Sequence, residues 1–191
     1  MTKRTVLILF AHPSMHNSEV NRVMIDAIKG LDGVDINDLY ENYPDFYIDV
    51  KREQALLVKS DLIIFQHPLY WYSSPAIIKE WQDVVLERGF AYGQGGEALR
   101  EKDFMLALST GGVPEAYQRT GYHYFTLEEL LRPFEQTAKL CGMRYRPPFV
   151  IQGSYELTTL KIREHAKKYR EFLLDYLQHG EPAFEQLIEN K

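Results

Sequence analysis

Cysteine is nearly absent. One residue, Cys141, in a chain of 191 excludes an intramolecular disulfide and any cysteine-based zinc site, and it fits a reducing compartment. Basic residues are in the minority, 22 Lys and Arg against 27 Asp and Glu, for a net charge of −5. That balance leaves no electrostatic footprint for nucleic acid. Long apolar runs are also missing. The first, Val6 to Ala11, ends at His12-Pro13, which is too short for a membrane span and is not followed by a signal-cleavage pattern. No Gly-x-Gly-x-x-Gly follows the first apolar run, and there is no triphosphate-binding loop and no His-Glu-x-x-His. These absences predict a cytoplasmic protein with no nucleic-acid partner, no direct membrane insertion and no metal centre. With 45% hydrophobic and 26% charged residues, the chain has an ordinary globular composition, and its length suits a single domain over residues 1–191.

What is present is an alternation of two periodicities. Val6 to Phe10 is a continuous apolar run, the pattern of a strand covered on both faces. Val20, Val23, Met24, Ala27, Ile28 and Leu31 follow at helical spacing. Further strands are predicted at Val34–Ile36, Asp61–Gln66, Phe104–Leu108 and Phe149–Gln152. Further helices are predicted at Val50–Lys59, from Pro75, from Pro133 to Cys141 with Gly142 as the stop, and from Leu157 to about Gln178. Tyr40 to Asp49 reads as a turn-rich stretch, and the last dozen residues carry little pattern. Strands alternating with helices imply an α/β three-layer sandwich, a parallel sheet with helices on both faces. The rhythm predicts five strands in the order 2-1-3-4-5.

In such a sheet, ligands bind beyond the carboxyl ends of the strands, near the reversal of strand order. That selects the loops after strands one, three and four. The first ends at Ser18, where a helix start offers unpaired amides to a phosphate, with His12 as an added donor; Ser18 also reads simply as an N-cap. The second holds Tyr70, Trp71 and Tyr72, suited either to stacking on a planar ligand or to a subunit interface. The third, Ser109-Thr110-Gly111-Gly112-Val113, lets backbone approach a ligand closely, and it also reads as an ordinary turn. Cys141 lies in an apolar stretch and reads as an inert core thiol. His165 and His179 read as surface residues.

The loops taken together resemble the flavodoxin-like NAD(P)H:quinone oxidoreductases, the DT-diaphorase-like family. Within it they are most similar to the small ancillary oxidoreductases of glutathione-gated potassium efflux systems. The stretches that carry the resemblance are Ala11-His12-Pro13, Ser18-x-x-Asn21, Leu39-Tyr40 with Tyr43-Pro44-Asp45-Phe46-x-Ile48-Asp49, and Gln66-His67-Pro68-Leu69-x-Trp71-Tyr72-Ser73-x-Pro75. Gly89-Phe90-Ala91-Tyr92-Gly93-x-Gly95-Gly96, Thr110-Gly111-Gly112 and Leu131-Arg132-Pro133-Phe134-Glu135-x-Thr137-Ala138 continue it, in order, over nearly the whole chain.

The resemblance implies a flavodoxin-like fold, a homodimer with its sites at the interface, a bound flavin and two-electron reduction of quinones by NAD(P)H in ping-pong exchange. It assigns His12 and Ser18, Glu19, Val20 and Asn21 to the flavin phosphate. Pro68, Leu69, Tyr70 and Trp71 fall to the ribityl chain and ring, and Ser109, Thr110, Gly111, Gly112 and Val113 to the pyrimidine edge. Tyr117 and His123, seven and thirteen residues after Thr110, stand where the family places groups that assist hydride transfer. Tyr92 is assigned to the partner subunit's pocket. FMN is the expected cofactor, because the chain ends soon after the last predicted helix; FAD is the alternative. Two departures stand out: Tyr70 replaces a glutamine common in relatives, and Pro114, which has no amide hydrogen, cannot donate to the ring. The resemblance also carries two other readings. One is an ancillary subunit that binds and activates a potassium efflux transporter, which would bring the protein to the inner face of the membrane. The other is a reductase of azo or nitro compounds.

Overall fold

The structure is a computed structural model that describes residues 4–189; residues 1–3 and 190–191, the ends of the expected domain, lie outside it. Val6–Phe10 (β1) is apolar and buried at every position, as a strand covered on both faces must be. Leu62–Pro68 (β3) and Asp103–Ser109 (β4) are likewise buried throughout. Val34–Asp38 (β2), on the edge, is only partly covered. All pairings are parallel, and the order β2-β1-β3-β4 is completed by a fifth position beside β4. This is the expected 2-1-3-4-5 order. The fifth position holds two short pieces, Arg144–Tyr145 (β5) and Phe149–Ile151 (β6), both parallel to β4. Pro147 and Pro148 separate them, and neither can donate a ladder hydrogen bond.

Side chains alternate across the sheet and build two cores. Leu7, Leu9, Ile63, Phe65 and Leu106 face a layer that includes Val50–Lys59 (α3), Ala76–Val85 (α4) and Leu127–Leu140 (α5). Val6, Ile8, Phe10, Ile64 and Ala107 face Glu19–Ile28 (α1) and Thr159–His179 (α6). Cys141 is buried, and burial pushes its thiol up to about 11, consistent with an inert residue.

Three segments depart from the periodicity. Within the turn-rich stretch, Leu39–Asn42 forms one helical turn (α2), capped by Asp38. The stretch is tied down by the fully buried Glu53. Its carboxylate accepts hydrogen bonds from Asn37 Nδ2 (2.7 Å), the Tyr43 hydroxyl (2.6 Å), Trp81 Nε1 (2.9 Å) and Arg52 (2.7 Å). The helix expected from Pro133 begins earlier, at Leu127, because Thr126 and Glu129 form a capping box that satisfies the first amides reciprocally. Pro133 sits inside that helix on its exposed side. The chain end is a helix, Pro182–Glu189 (α7). Its Phe184 packs on Phe172 and Tyr176 at ring-centroid distances of 5.4 and 5.5 Å.

His179 is exposed, as expected, whereas His165 is half-buried. Among the described residues, no helix is long and apolar enough to cross a membrane, and no cluster of His, Cys, Asp or Glu is arranged to hold a metal ion. The loops after β1, β3, β4 and β6 all leave the sheet at its carboxyl rim.

Candidate functional site

The first loop enters α1 through Ser18, whose Oγ accepts the Asn21 amide (3.2 Å), an ordinary N-cap. The Asn21 side chain then reaches further. Its Nδ2 donates to Ser18 Oγ (3.2 Å) and to Ser109 Oγ (2.9 Å), so one buried amide joins the start of α1 to the end of β4. Its Oδ1 is buried with no partner among the described residues. The side chain of Val20 lies in the core, so only its backbone can serve a ligand. The Glu19 carboxylate accepts the Thr159 hydroxyl (2.9 Å), which draws it toward α6. His12 Nδ1 accepts the Ser14 amide (3.1 Å), which leaves its proton on Nε2. Burial, helped by nearby His16, holds His12 below its ordinary value, so it is a neutral donor at pH 7.

The second loop is strained. Tyr70 and Ser73 exchange both backbone hydrogen bonds (3.1 and 2.9 Å) around a two-residue turn. Trp71 and Tyr72 occupy that turn with φ of 47° and 64°. Left-handed pairs of this kind normally use Asn-Gly, and holding two aromatics there costs roughly 1–3 kcal/mol each. The result is that Trp71 stands 91% exposed. Tyr70 meets the His12 ring edge-on at 6.2 Å. Pro68 pairs with Ser109 at the end of β3, and the Leu69 amide donates to the Ser109 carbonyl (2.8 Å), so the second and third loops are stitched together.

The third loop is stitched in turn to the loop after β6. Thr110 N donates to Ile151 O, Ser154 N to Thr110 O and Gly153 N to Gly112 O, each at 2.9 Å. The Thr110 hydroxyl donates to the Gly112 carbonyl (2.8 Å). The carbonyls of Thr110 and Gly112 are thereby committed, while the amides of Gly111 and Val113 donate to no group among the described residues. A side chain on either glycine would crowd a neighbour. A Cβ at Gly112 would lie 3.0 Å from both His123 Nε2 and Tyr117 Cε2, and one at Gly111 would lie 2.5 Å from Tyr155 Cε2.

Pro114–Ala116 forms a single tight turn that brings Tyr117 and His123 onto this glycine pair. Their rings lie 4.6 Å apart at 34°. Tyr72 and Tyr122 flank the same imidazole at 5.4 and 5.2 Å. Burial pushes the Tyr117 phenol up, with the Thr110 hydroxyl and the Gly112 backbone pulling against it. Tyr92 belongs to a separate glycine-rich loop. It packs on the α4 side of the core, and among the described residues no hydrogen bond or ring contact links it to the rim.

One site residue escapes the loop-by-loop reading. Tyr155, 91% exposed, comes from the loop after β6 and rests on Gly111. The signal was available, since the fifth strand ends at the same rim and Gly153-Ser154-Tyr155 is a turn carrying an aromatic. A groove of about 910 Å3 lies elsewhere, along the outer edge of the sheet, lined by Leu131, Tyr145, Val150, His165, Phe172 and Leu187 among others; it contains none of the candidate residues.

The rim suits the flavin that the resemblance implies. The α1 start and the neutral His12 present donors to a phosphate. Gly111 and Val113 present free amides to the polar edge of a ring, beside glycines that no larger residue can replace without moving a neighbour.

The chain is similar to known proteins along most of its length. Residues 4–173 match a family described as having a flavodoxin-like fold. The glutathione-regulated potassium-efflux system ancillary protein KefG of Serratia proteamaculans (strain 568) is 43% identical over 175 residues, which cover 92% of this chain and 96% of that protein. The crystal structure of general stress protein 14 from Treponema denticola in complex with FMN superposes with a TM-score of 0.85 at 38% identity, covering 91% of this chain and 99% of the other. An NADPH-quinone reductase from P. pentosaceus superposes with a TM-score of 0.80 at 33% identity, covering 88% and 96%.

Proposed function

Because the chain belongs to the family with the flavodoxin-like fold, we propose that it is an FMN-dependent NAD(P)H:quinone oxidoreductase. The FMN complex of the Treponema denticola relative and the name of the P. pentosaceus relative support the cofactor and the reaction class. The observation that carries the reading is the Asn21 bridge from Ser18 to Ser109, which joins the phosphate turn and the ring turn into one cradle.

When bound, FMN would supply the two-electron hydride chemistry between NAD(P)H and a quinone. The residues of the chain bind and orient. Ser18, Asn21 and the backbone of Glu19 and Val20, with His12, hold the phosphate. Pro68, Leu69, Tyr70 and Trp71 line the ribityl chain and one side of the ring. The amides of Gly111 and Val113 would donate to the polar edge of that ring; oriented donors of this kind are worth about 3 kcal/mol each. Tyr117 and His123 hold and deliver the proton that the reduced quinone oxygen takes up. The exposed rings of Trp71, Tyr122 and Tyr155 give planar acceptors a stacking surface, so azo and nitro compounds are alternative acceptors. Tyr92 lines the neighbouring subunit's pocket in a homodimer.

The identity with an efflux-system ancillary protein favours a second reading, in which the protein also binds and activates a potassium efflux transporter at the cytoplasmic face of the membrane. Co-purification with such a transporter tests it.

The main test is direct. The purified protein is expected to be yellow, to release FMN on denaturation, to reduce menadione with NAD(P)H and to elute as a dimer. Colourless protein that cannot be reconstituted with FMN overturns the proposal.

A further inference from the structure

Three side chains on the α1/α6 face of the sheet are buried with polar atoms that no described residue satisfies. Gln66, near the end of β3, is fully buried, and neither its Oε1 nor its Nε2 has a partner. Asn21 has committed Nδ2 to Ser18 and Ser109 and keeps Oδ1 unpaired. Tyr169 on α6 is fully buried with an unpaired hydroxyl.

They share one layer. Gln66 alternates with Leu62 and Ile64, which face α1 and α6. In register, Gln66 lies beside Ala107 and Ala107 beside Phe149, and the Tyr169 ring lies 5.0 Å from that of Phe149. Ala107, between the two, presents only a methyl. Asn21 comes from α1, bonded to Ser109, two residues beyond Ala107 on the same face of β4. Buried amides and hydroxyls left unpaired are costly and rare. A water, which makes about three hydrogen bonds as both donor and acceptor, is the ligand that matches one amide, one carbonyl-type oxygen and one phenol in a confined layer.

We propose that Gln66, Tyr169 and Asn21 Oδ1 enclose an internal water site beneath the rim, and that through it Gln66 is a positioning residue for the Ser18–Asn21 turn. The water site stands on the geometry alone; the positioning role rests on the flavin reading above.

A melting-temperature cycle on the flavin-free full chain tests the site. Gln66→Leu and Tyr169→Phe, both close in shape to the native residues, are each expected to lower the midpoint by a few degrees. The double variant is expected to lose little more than the larger single loss, since one water serves both. A crystal structure is expected to show an ordered water within hydrogen-bond distance of the Gln66 amide. A rise in midpoint for Gln66→Leu, which is what an amide that is merely unsatisfied would give on apolar replacement, overturns the site, as do additive losses.

Binding of FMN and of riboflavin to the flavin-free chain tests the positioning role. The ratio of FMN to riboflavin affinity is expected to fall about tenfold in Gln66→Leu, because only FMN carries the phosphate. An unchanged ratio overturns the role. A wild-type chain that binds neither flavin removes the flavin reading, while the melting cycle still decides the water site.

Discussion

His123 lies against Tyr117, ring centroids 4.6 Å apart, with its Nε2 3.0 Å from where a Cβ on Gly112 would stand. The imidazole is therefore held over the glycine turn by packing on a buried phenol. If this pair delivers a proton during turnover, His123→Ala slows NAD(P)H-dependent quinone reduction at least tenfold, the lower range of acid–base contributions being about a hundredfold, while bound flavin is retained. Stopped-flow single-turnover rates check this, and unchanged rates remove the assignment.

Gly112→Ala is expected to destabilise by about 1–3 kcal/mol, the cost of overpacking. Its new methyl meets the Tyr117 and His123 rings at 3.0 Å, and neither is free to leave. Gly111→Ala is expected to be nearly neutral for stability, because its neighbour is the tip of the exposed Tyr155 side chain, which can swing aside. Thermal unfolding of the two variants distinguishes them; equal losses contradict the geometry.

His67 gives a pH signature. It is fully buried beside Phe134, its Nδ1 bonded to the Pro68 carbonyl (2.9 Å), and burial pushes its value down to about 4. The unfolded chain takes up a proton near pH 6.5, and the folded chain does so only near pH 4. This contribution is therefore complete above pH 6.5 and is lost as pH falls toward 4, amounting to about 3 kcal/mol across the window. His67→Phe is expected to flatten the stability profile between those limits. Urea unfolding at half-unit pH steps measures it, and an identical profile in the variant refutes the prediction.

The two tryptophans report separately. Trp81 is on the buried face of α4 and bonded to Glu53, whereas Trp71 is 91% exposed on the rim turn. Flavin binding at the rim is expected to quench the emission of Trp71, and Trp71→Phe is expected to abolish most of the change on titration with FMN. Quenching that persists in the variant would move the site away from this loop.

Much of the fold was legible because burial on both faces writes itself as unbroken apolar runs. Val6–Phe10 and Phe104–Leu108 could be little else in a chain whose intervening segments repeat every three to four residues. Pro133 reads as a helix start because proline is favoured there, whereas the start is set by the capping box of Thr126 and Glu129, with Thr126 seven residues earlier. α7 was missed because two turns of helix carry too few positions for a period, and what holds it is the contact of Phe184 with Phe172 and Tyr176. Tyr155 lies outside the three loops that the reversal of strand order selects, because its loop follows the fifth strand at the same rim.

The amino-acid order by itself determined the alternation of strand and helix, the strand order that alternation favours, and the loops that carry polar and aromatic residues, since each follows from spacing a few residues long. Only the tertiary structure decided that Asn21 bonds Ser109 across 88 positions, that Tyr155 rests on Gly111, and that Trp71 points outward from a strained turn. Such contacts join segments that share no local pattern, so they exist only once the sheet has brought its carboxyl ends into one plane.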